Sequence, residues 1–483
     1  MSTSTRLYSM SIPKASPLPP NPTFADLTSP TWLQSRNKRS RPATLLQTLK
    51  TAAVALPTIA LLGPVAFLSQ SLLSRSRPKP TLPPQAPSEL TSLPLPTSRS
   101  YDIALVGVTG FTGKLVLEYY LKTYPSLKIV VAGRDLKRVK SAVDAVKEIC
   151  NSEKDIDMVQ ASASDWSSNF SVARSSKVVV TTAGPFAKIG NKLIEACAYS
   201  GTHYADITGE TSWVRNNVKR LGGVAEEKGG VLCSLCGHDS VPWEFSVKGL
   251  ETKLEGMGED MVKVVLTDEI KSQASGGTIA TMVDSVENPL ANVKSDFDPI
   301  YGAKKGGKVV NASPKFVSKG PDGWMSFFMM SLVNAEAVKR SASLNQNLEY
   351  VEGERVDLLT GVNNTLSLYM SLCALYVPAL RKFLMSKNII PNPGTGPSLK
   401  QQQNGYLRVI GTGYGSKGSK VRSCIYFDSD PGYRDTARMV AEAGATLLEV
   451  GEKKEGGVYT PGAIIREEMT EKLLKGGTAF VVE

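Results

Sequence analysis

Residues 101–135 read YDIALVGVTGFTGKLVLEYYLKTYPSLKIVVAGRD, and the reading of this stretch decides the fold. Residues 101–106 run apolar into Gly107, the pattern of a buried strand entering a turn; residues 112–124 then carry apolar side chains at helical spacing. A second apolar strand, 127–132, follows at the distance of a βαβ unit. Between the first strand and the helix, Gly107, Gly110 and Gly113 keep the spacing G-x-x-G-x-x-G. Missing side chains there let backbone N–H groups approach a pyrophosphate at the positive end of a helix. Gly107, Thr109, Gly110, Phe111, Thr112 and Gly113 are therefore the predicted dinucleotide cradle.

The residue after the second strand selects the coenzyme. A carboxylate there holds the ribose 2′-hydroxyl of NAD, whereas an Arg accommodates the 2′-phosphate of NADP. The tip here is Arg134, with Lys137 and Arg138 one turn on, which favours NADP; Asp135 leaves room for NAD. Further out, 136–150 reads as an amphipathic helix, and 156–160 and 177–182 as strands. The last of these ends in Ala183, Gly184 and Pro185, where a small residue at the carboxyl end of a central strand lets a cofactor pass. The fold class is α/β, with an N-terminal doubly wound dinucleotide-binding (Rossmann) domain over 99–240.

Of the formal charge of +11, residues 1–100 hold +9, so the body of the chain is nearly neutral and a nucleic-acid partner is not expected. Six scattered cysteines do not make a secreted disulfide framework and are expected to be reduced thiols; Cys233 and Cys236 form a C-x-x-C without a second pair, and no metal constellation is visible.

Residues 1–98 read as a targeting or anchoring leader. The first fifty are rich in Ser, Thr, Pro and Arg and poor in acids, as in a plastid or mitochondrial transit peptide; a plastid is expected first, and a mitochondrion, or a lipid droplet or endoplasmic reticulum reached through the apolar stretch that follows, second. Residues 51–74 are uncharged and long enough for a membrane helix or a hydrophobic sorting element; the Pro-rich 78–96 reads as a linker.

The combination GVTGFTGKL, AGRD, TTAGPFAKIG, ACAYSGTHYADITGE and CGHDSVP resembles the saccharopine dehydrogenase-like oxidoreductases. Within them it is similar to the branch of the trans-acting enoyl reductases and the lipid-droplet-associated proteins. Later motifs agree, among them SGGT at 275–278, VKRSASL at 338–344, NPGTGPS at 392–398, DPGYRDTARMVAEA at 430–443 and GGVYTPGA at 456–463. His238 stands where the family more often has an aromatic. The resemblance implies an NAD(P)-binding domain with a second α/β domain for substrate or dimerisation, here 241–428, giving a homodimer. It also implies a C-terminal part, 429–483, that returns to the first domain through helices and a strand.

Reduction of a C=C or C=N bond needs a proton donor beside the coenzyme. The chain has two histidines, His203 and His238, each in a loop-forming motif, and with Tyr204 and Asp239 they are the predicted catalytic residues. Asp206 and Glu210 compete, with helix capping or turn hydrogen bonds as their other reading. Residues 324–333 and 365–380 are apolar and aromatic, fit to line an acyl pocket or to meet a membrane or lipid surface, or else to fill ordinary core. The expected activity is an enoyl-type reduction of a lipid-like or polyketide-like acyl chain. The alternatives are a saccharopine-type imine oxidoreductase, for which Lys339 and Arg340 could hold substrate carboxylates, and a non-catalytic lipid-surface protein.

Overall fold

The computed structural model describes residues 22–29, 85–272, 307–342, 346–376, 386 and 398–483. The stretch at 51–74, the SGGT motif at 275–278 and most of the motif at 392–398 lie outside the described residues.

The first sheet takes β1 (Tyr101–Val106), β2 (Ile129–Gly133), β3 (Asp157–Gln160), β4 (Ser176–Thr181), β5 (His203–Asp206) and β6 (Val231–Cys233). The second is made from β7 (Met261–Lys271), β8 (Val309–Asn311), β9 (Val317–Gly320), β10 (Gly323–Ser326), β11 (Leu348–Val356), β12 (Tyr406–Gly415) and β13 (Lys420–Phe427). The C-terminal strands β14 (Gly457–Tyr459) and β15 (Ala479–Val482) are shared out, one to each sheet.

The first sheet runs β14-β6-β5-β4-β1-β2-β3, with every neighbouring pair parallel. Val and Ile dominate β1, β2 and β4 because helices cover both faces; Ile103, Val131, Val178 and Val180 are completely or almost completely buried. Strand order reverses between β1 and β4, which opens a crevice over their carboxyl ends. The second sheet runs β15-β13-β12-β7-β11-β10-β9, with β8 added beside β11. The helix Val241–Gly256 leaves the end of β6 and packs Trp243, Phe245 and Leu250 onto the inner face of this second sheet, so one apolar core is continuous through both.

Two details differ from the sequence reading. The strand at the chain's end, β15, pairs antiparallel with β13 in the second sheet and does not return to the first. What returns is β14, from the GGVY stretch, together with the helix Thr436–Val450, whose Ala441 carbonyl accepts from Tyr120 at 3.0 Å.

The supposed leader also packs at both of its described parts. In the part nearer the first domain, Ala86 N–H donates to Glu195 at 2.7 Å, and just past the leader Arg99 donates to the carbonyls of Ala173, Ser176, Ser200 and Gly201. Residues 22–29 form a short helix, Phe24–Thr28, with Thr23 and Asp26 as a reciprocal cap. Phe24 and Leu27 are buried against Tyr406, Ile410, Cys424, Tyr426 and Ala479 on the outer face of the second sheet.

Candidate active site

The turn after β1 is shaped by contacts that only glycine permits. Gly107 has φ +101°, in the region L side chains avoid, and a Cβ on Gly113 would lie 2.2 Å from the Gly107 carbonyl oxygen. The helix Phe111–Thr123 begins at Gly110 with no side-chain cap and no acid in its first turn. Its first amides thus face the crevice with their hydrogen-bonding capacity unspent on side chains, the arrangement a diphosphate requires. Thr109 is exposed beside this turn, Phe111 meets the ring of Tyr433 edge-on at 5.4 Å, and Thr112 is half-buried. Ala183, Gly184 and Pro185 leave the end of β4 next to it: Thr182 N–H donates to Val106 O at 3.0 Å, and a Cβ on Gly107 would lie 3.0 Å from Ala183 N. The predicted cradle residues are thus brought together over β1 and β4.

At the end of β2, Arg134, Lys137 and Arg138 are all exposed. Asp135 is the N-cap of the helix Leu136–Cys150 and accepts from Lys137 N and Arg138 N at 3.0 and 3.1 Å. The carboxylate that follows β2 is therefore committed to its helix, while three exposed cations follow the same strand, where a 2′-phosphate is held in such folds. These residues fit NADP, which when bound supplies a hydride to its substrate.

The predicted catalytic residues separate. His203 starts β5, paired with Val178, whereas β5 reaches the crevice only at Asp206, paired with Thr181. Three residues of strand put His203 roughly 10 Å below that edge. Its Nδ1 accepts from Val231 N–H at 3.1 Å and its ring packs on Gly451; burial holds its pKa down to about 4. Tyr204 is wholly buried in the core on the other face of the strand. Neither side chain is brought to the glycine turn, because both belong to the strand itself and not to the loop that follows it. Asp206, at the edge, accepts from Thr208 N, Leu235 N and Ser234 Oγ and so ties the loops after β5 and β6 together. Glu210 caps the short helix Phe186–Ile189, accepting from Phe186 N at 2.7 Å and Ala187 N at 2.8 Å.

His238 and Asp239 do lie at the crevice, in the loop after β6. The His238 amide donates to Thr436 Oγ1 at 3.1 Å and its ring stands 5.0 Å from Trp243; burial lowers its pKa to about 3, so it is a neutral imidazole at physiological pH. Among the described residues its Nδ1 has no hydrogen-bond partner. The Asp239 carboxyl faces the backbone of Gly209, and burial pushes its pKa up to about 6.

Opposite Asp239, the inner face of the second sheet presents acids that the sequence reading did not single out. Glu352 and Glu354 of β11 share a face with Asp268 of β7, Glu354 paired with Asp268 and Glu352 with Leu266. Trp243 Nε1 donates to Asp268 at 2.8 Å; Asn334 Nδ2 donates to Glu352 at 2.7 Å, and Tyr350 OH donates to the same carboxylate. Burial pushes Glu352 up to about 8, with Asp239 adding to the effect, and it raises Asp268 well above the usual carboxylate range. The pair therefore holds at least one proton at neutrality. Acids at alternate positions of a strand, among core residues Leu348 and Tyr350, were the available signal. From His238 an aromatic wall continues through Trp243 to Phe328, stacked at 5.8 Å, and Phe327 stacks on Tyr369 at 6.0 Å.

Lys339 and Arg340 are committed elsewhere. Lys339 pairs with Glu336 at 2.6 Å, and Arg340 is buried, bonded to the Val458 carbonyl with its guanidinium over Tyr459. Cys233 and Cys236 are free, buried thiols whose pKa values burial raises, and among the described residues no His, Cys, Asp and Glu cluster has the makings of a metal site.

A dinucleotide cradle on a parallel sheet, facing proton-bearing carboxyls on a second, is the equipment of an NADP-dependent α/β oxidoreductase. Residues 103–233 match the family described as Saccharopine dehydrogenase NADP binding domain. A Mycobacterium tuberculosis protein named "Putative trans-acting enoyl reductase" is 30% identical over 416 residues, 80% of this chain and 98% of that one. A trans-acting enoyl reductase of Mycobacterium bovis is 28% identical over 415 residues, again 80% and 98%. Among solved structures, saccharopine dehydrogenase (L-Glu forming) of Saccharomyces cerevisiae aligns with a TM-score of 0.45 and 12% identity, over 79% of this chain and 99% of that one. The chain belongs to the saccharopine dehydrogenase-like oxidoreductases, with relatives that carry the enoyl reductase name.

Proposed function

We propose that the protein is an NADPH-dependent reductase of an uncharged, unsaturated acyl group on a lipid-like substrate, with the Glu352 and Asp268 carboxyls as the proton source and Asp239 as their outlet to the crevice. The observation that carries this reading is the buried Asp268 and Glu352 pair on the inner face of the second sheet, near enough to Asp239 to feel its charge and holding at least one proton at neutral pH. In an enoyl reduction the coenzyme's hydride goes to the β-carbon, and the α-carbon takes a proton. This chain's part is to hold that proton at Glu352, to pass it through Asp239 and to keep water out with the wall of His238, Trp243 and Phe328. A substrate with several carboxylates would need convergent cations, and Lys339 and Arg340 are bonded to Glu336 and Val458 instead. That observation weighs against the saccharopine-type reaction. The names of the relatives support the enoyl assignment, and the apolar residues 51–74 support action at a membrane or lipid surface, with a plastid as the first compartment to examine.

The test follows NADPH oxidation by the full chain in detergent, offered α,β-unsaturated acyl esters, and separately lysine with 2-oxoglutarate. Turnover of the unsaturated esters that drops in Glu352→Gln, with NADPH affinity intact, is the expected result. Turnover of lysine with 2-oxoglutarate alone, or a Glu352→Gln enzyme as fast as the parent, overturns the reading.

A further inference from the structure

The outer face of the second sheet is unusual for the surface of an antiparallel region. Along β12, Tyr406, Arg408 and Ile410 point away from the main core, as do Arg422, Cys424 and Tyr426 on β13 and Ala479 and Val481 on β15. Alternation would make such a face polar if it met water; here it is mostly apolar and needs a cover.

The cover is the turn at residues 22–29. Leu27 is fully buried and Phe24 nearly so, each against the strands just named. Polar groups frame them. Arg408 is itself buried; one of its Nη atoms donates to the Leu27 carbonyl at 2.6 Å and the other to Glu269 at 2.5 Å. Glu269 also holds Arg355, at 3.0 Å. The Arg422 guanidinium lies 4.6 Å from the centre of the Phe24 ring and is fixed by Asp322 at 2.5 Å. A carbonyl accepting a buried guanidinium and an aromatic ring under a second one make a fitted site, where chance collapse of an apolar segment would leave the arginines elsewhere. Thr23 and Asp26 cap the turn reciprocally, which satisfies the backbone amides at its start.

The chain is pinned again on the far side of residues 30–84. There Ala86 N–H donates to Glu195, Ala86 and Leu90 pack beside Phe170 and Leu193, and Arg99 holds four carbonyls around β4 and β5.

We propose that the outer face of the second sheet is a binding site for the chain's own Thr23–Leu27 turn, kept in the mature enzyme, so that both ends of residues 30–84 are fastened to one folded body. Two consequences follow for the stretch read as targeting material. Removal of the first eighty or so residues as a transit peptide would uncover an apolar sheet face. A single crossing of a bilayer by residues 51–74 would place the two fastened ends on opposite sides, so whatever contact that stretch makes with lipid, residues 22–29 and the catalytic body stay on the same side.

The full chain provides its own reporter in Cys424, buried under the turn, while Cys197 and Cys233 are buried in the first domain. Maleimide labelling of the native protein, read by peptide mass spectrometry, should leave Cys424 unmodified. In F24D/L27D, Cys424 labelling should rise by about tenfold or more while Cys197 and Cys233 stay protected, because a thiol reacts once it is reached by solvent. A Cys424 that reacts freely in the parent, or stays protected in F24D/L27D, overturns the proposal. If the double variant unfolds as a whole, shown by labelling of all three, the milder F24A is read in the same way. Two further readouts bear on the consequences. The N-terminal sequence of the mature protein from its own cell must include residues 22–29; a start beyond residue 29 refutes retention. Protease protection of terminal tags in sealed vesicles must find both termini on one side; opposite sides refute the closed loop. Protection of Cys424 that is lost on dilution, together with dimers, would assign the turn to a second copy and overturn the claim that the chain serves itself.

Discussion

The two sheets meet their ligands by different means. At the end of the first, recognition is made of main chain: Gly107, Gly110 and Gly113 remove side chains so that amides can reach a phosphate. On the inner face of the second, it is made of side chains that would be costly to bury in any other arrangement, Asp268 and Glu352 supported by Trp243, Asn334 and Tyr350. The first device tolerates almost no change of shape and is indifferent to pH. The second depends on its hydrogen-bond partners and on pH.

Substitutions can break this contrast, and the largest effect belongs to the main-chain device. Gly113→Val places a Cβ where the Gly107 carbonyl stands at 2.2 Å, so NADPH affinity should fall at least ~100-fold by fluorescence titration, equivalent to ~3 kcal/mol. Next comes the proton source: Glu352→Gln should lower kcat by about 10² to 10⁴ and leave NADPH affinity within about twofold. A parent enzyme whose kcat stays flat well above pH 8 would remove Glu352 from the mechanism, since its retained proton, lost near pH 8, should make kcat fall above that value.

Stability gives an independent reading of the same group. The folded state keeps this proton up to about pH 8 while an unfolded chain releases it near 4.5, so between those values the folded state binds more protons and its stability falls as pH rises. Urea denaturation of Glu352→Gln should therefore show a shallower loss of stability from pH 5 to 8 than the parent. A smaller effect is expected at the coenzyme tip, where Arg134→Ala should raise the Kd for NADPH by about tenfold and leave that for NADH unchanged, a difference of ~1.4 kcal/mol. The smallest effect on turnover should come from His203→Gln: with the side chain roughly 10 Å below the sheet edge, kcat should stay within about twofold while the melting temperature drops through loss of the Val231 hydrogen bond.

The same contrast explains what could be read from the letters. Glycine spacing between a strand and a helix is local, so the cradle, its flanking strands and the cation at Arg134 were legible without tertiary information. The sequence pattern puts His203 and Tyr204 in a loop, although β5 begins at His203; a four-residue strand is too short for its alternation to announce itself. Glu352 and Asp268 are separated by nearly half of the second domain, and only the parallel pairing of β7 with β11 makes neighbours of them. Phe24 and Leu27 were passed over within a Ser- and Pro-rich stretch, yet T-F-A-D-L holds a capping pair and two apolar residues on one side of a turn.

The division of the C-terminal strands has a bearing on synthesis. β14 supplies the outer strand of one sheet and β15 that of the other, so neither sheet is complete until the residues of both strands have been made. Loss of β15 would strip β13 of its neighbour and leave an open strand edge beside the face that Phe24 and Leu27 cover. For this chain, an affinity tag belongs ahead of residue 22 and not directly after Glu483, whose amide and carbonyl are bonded to Arg422.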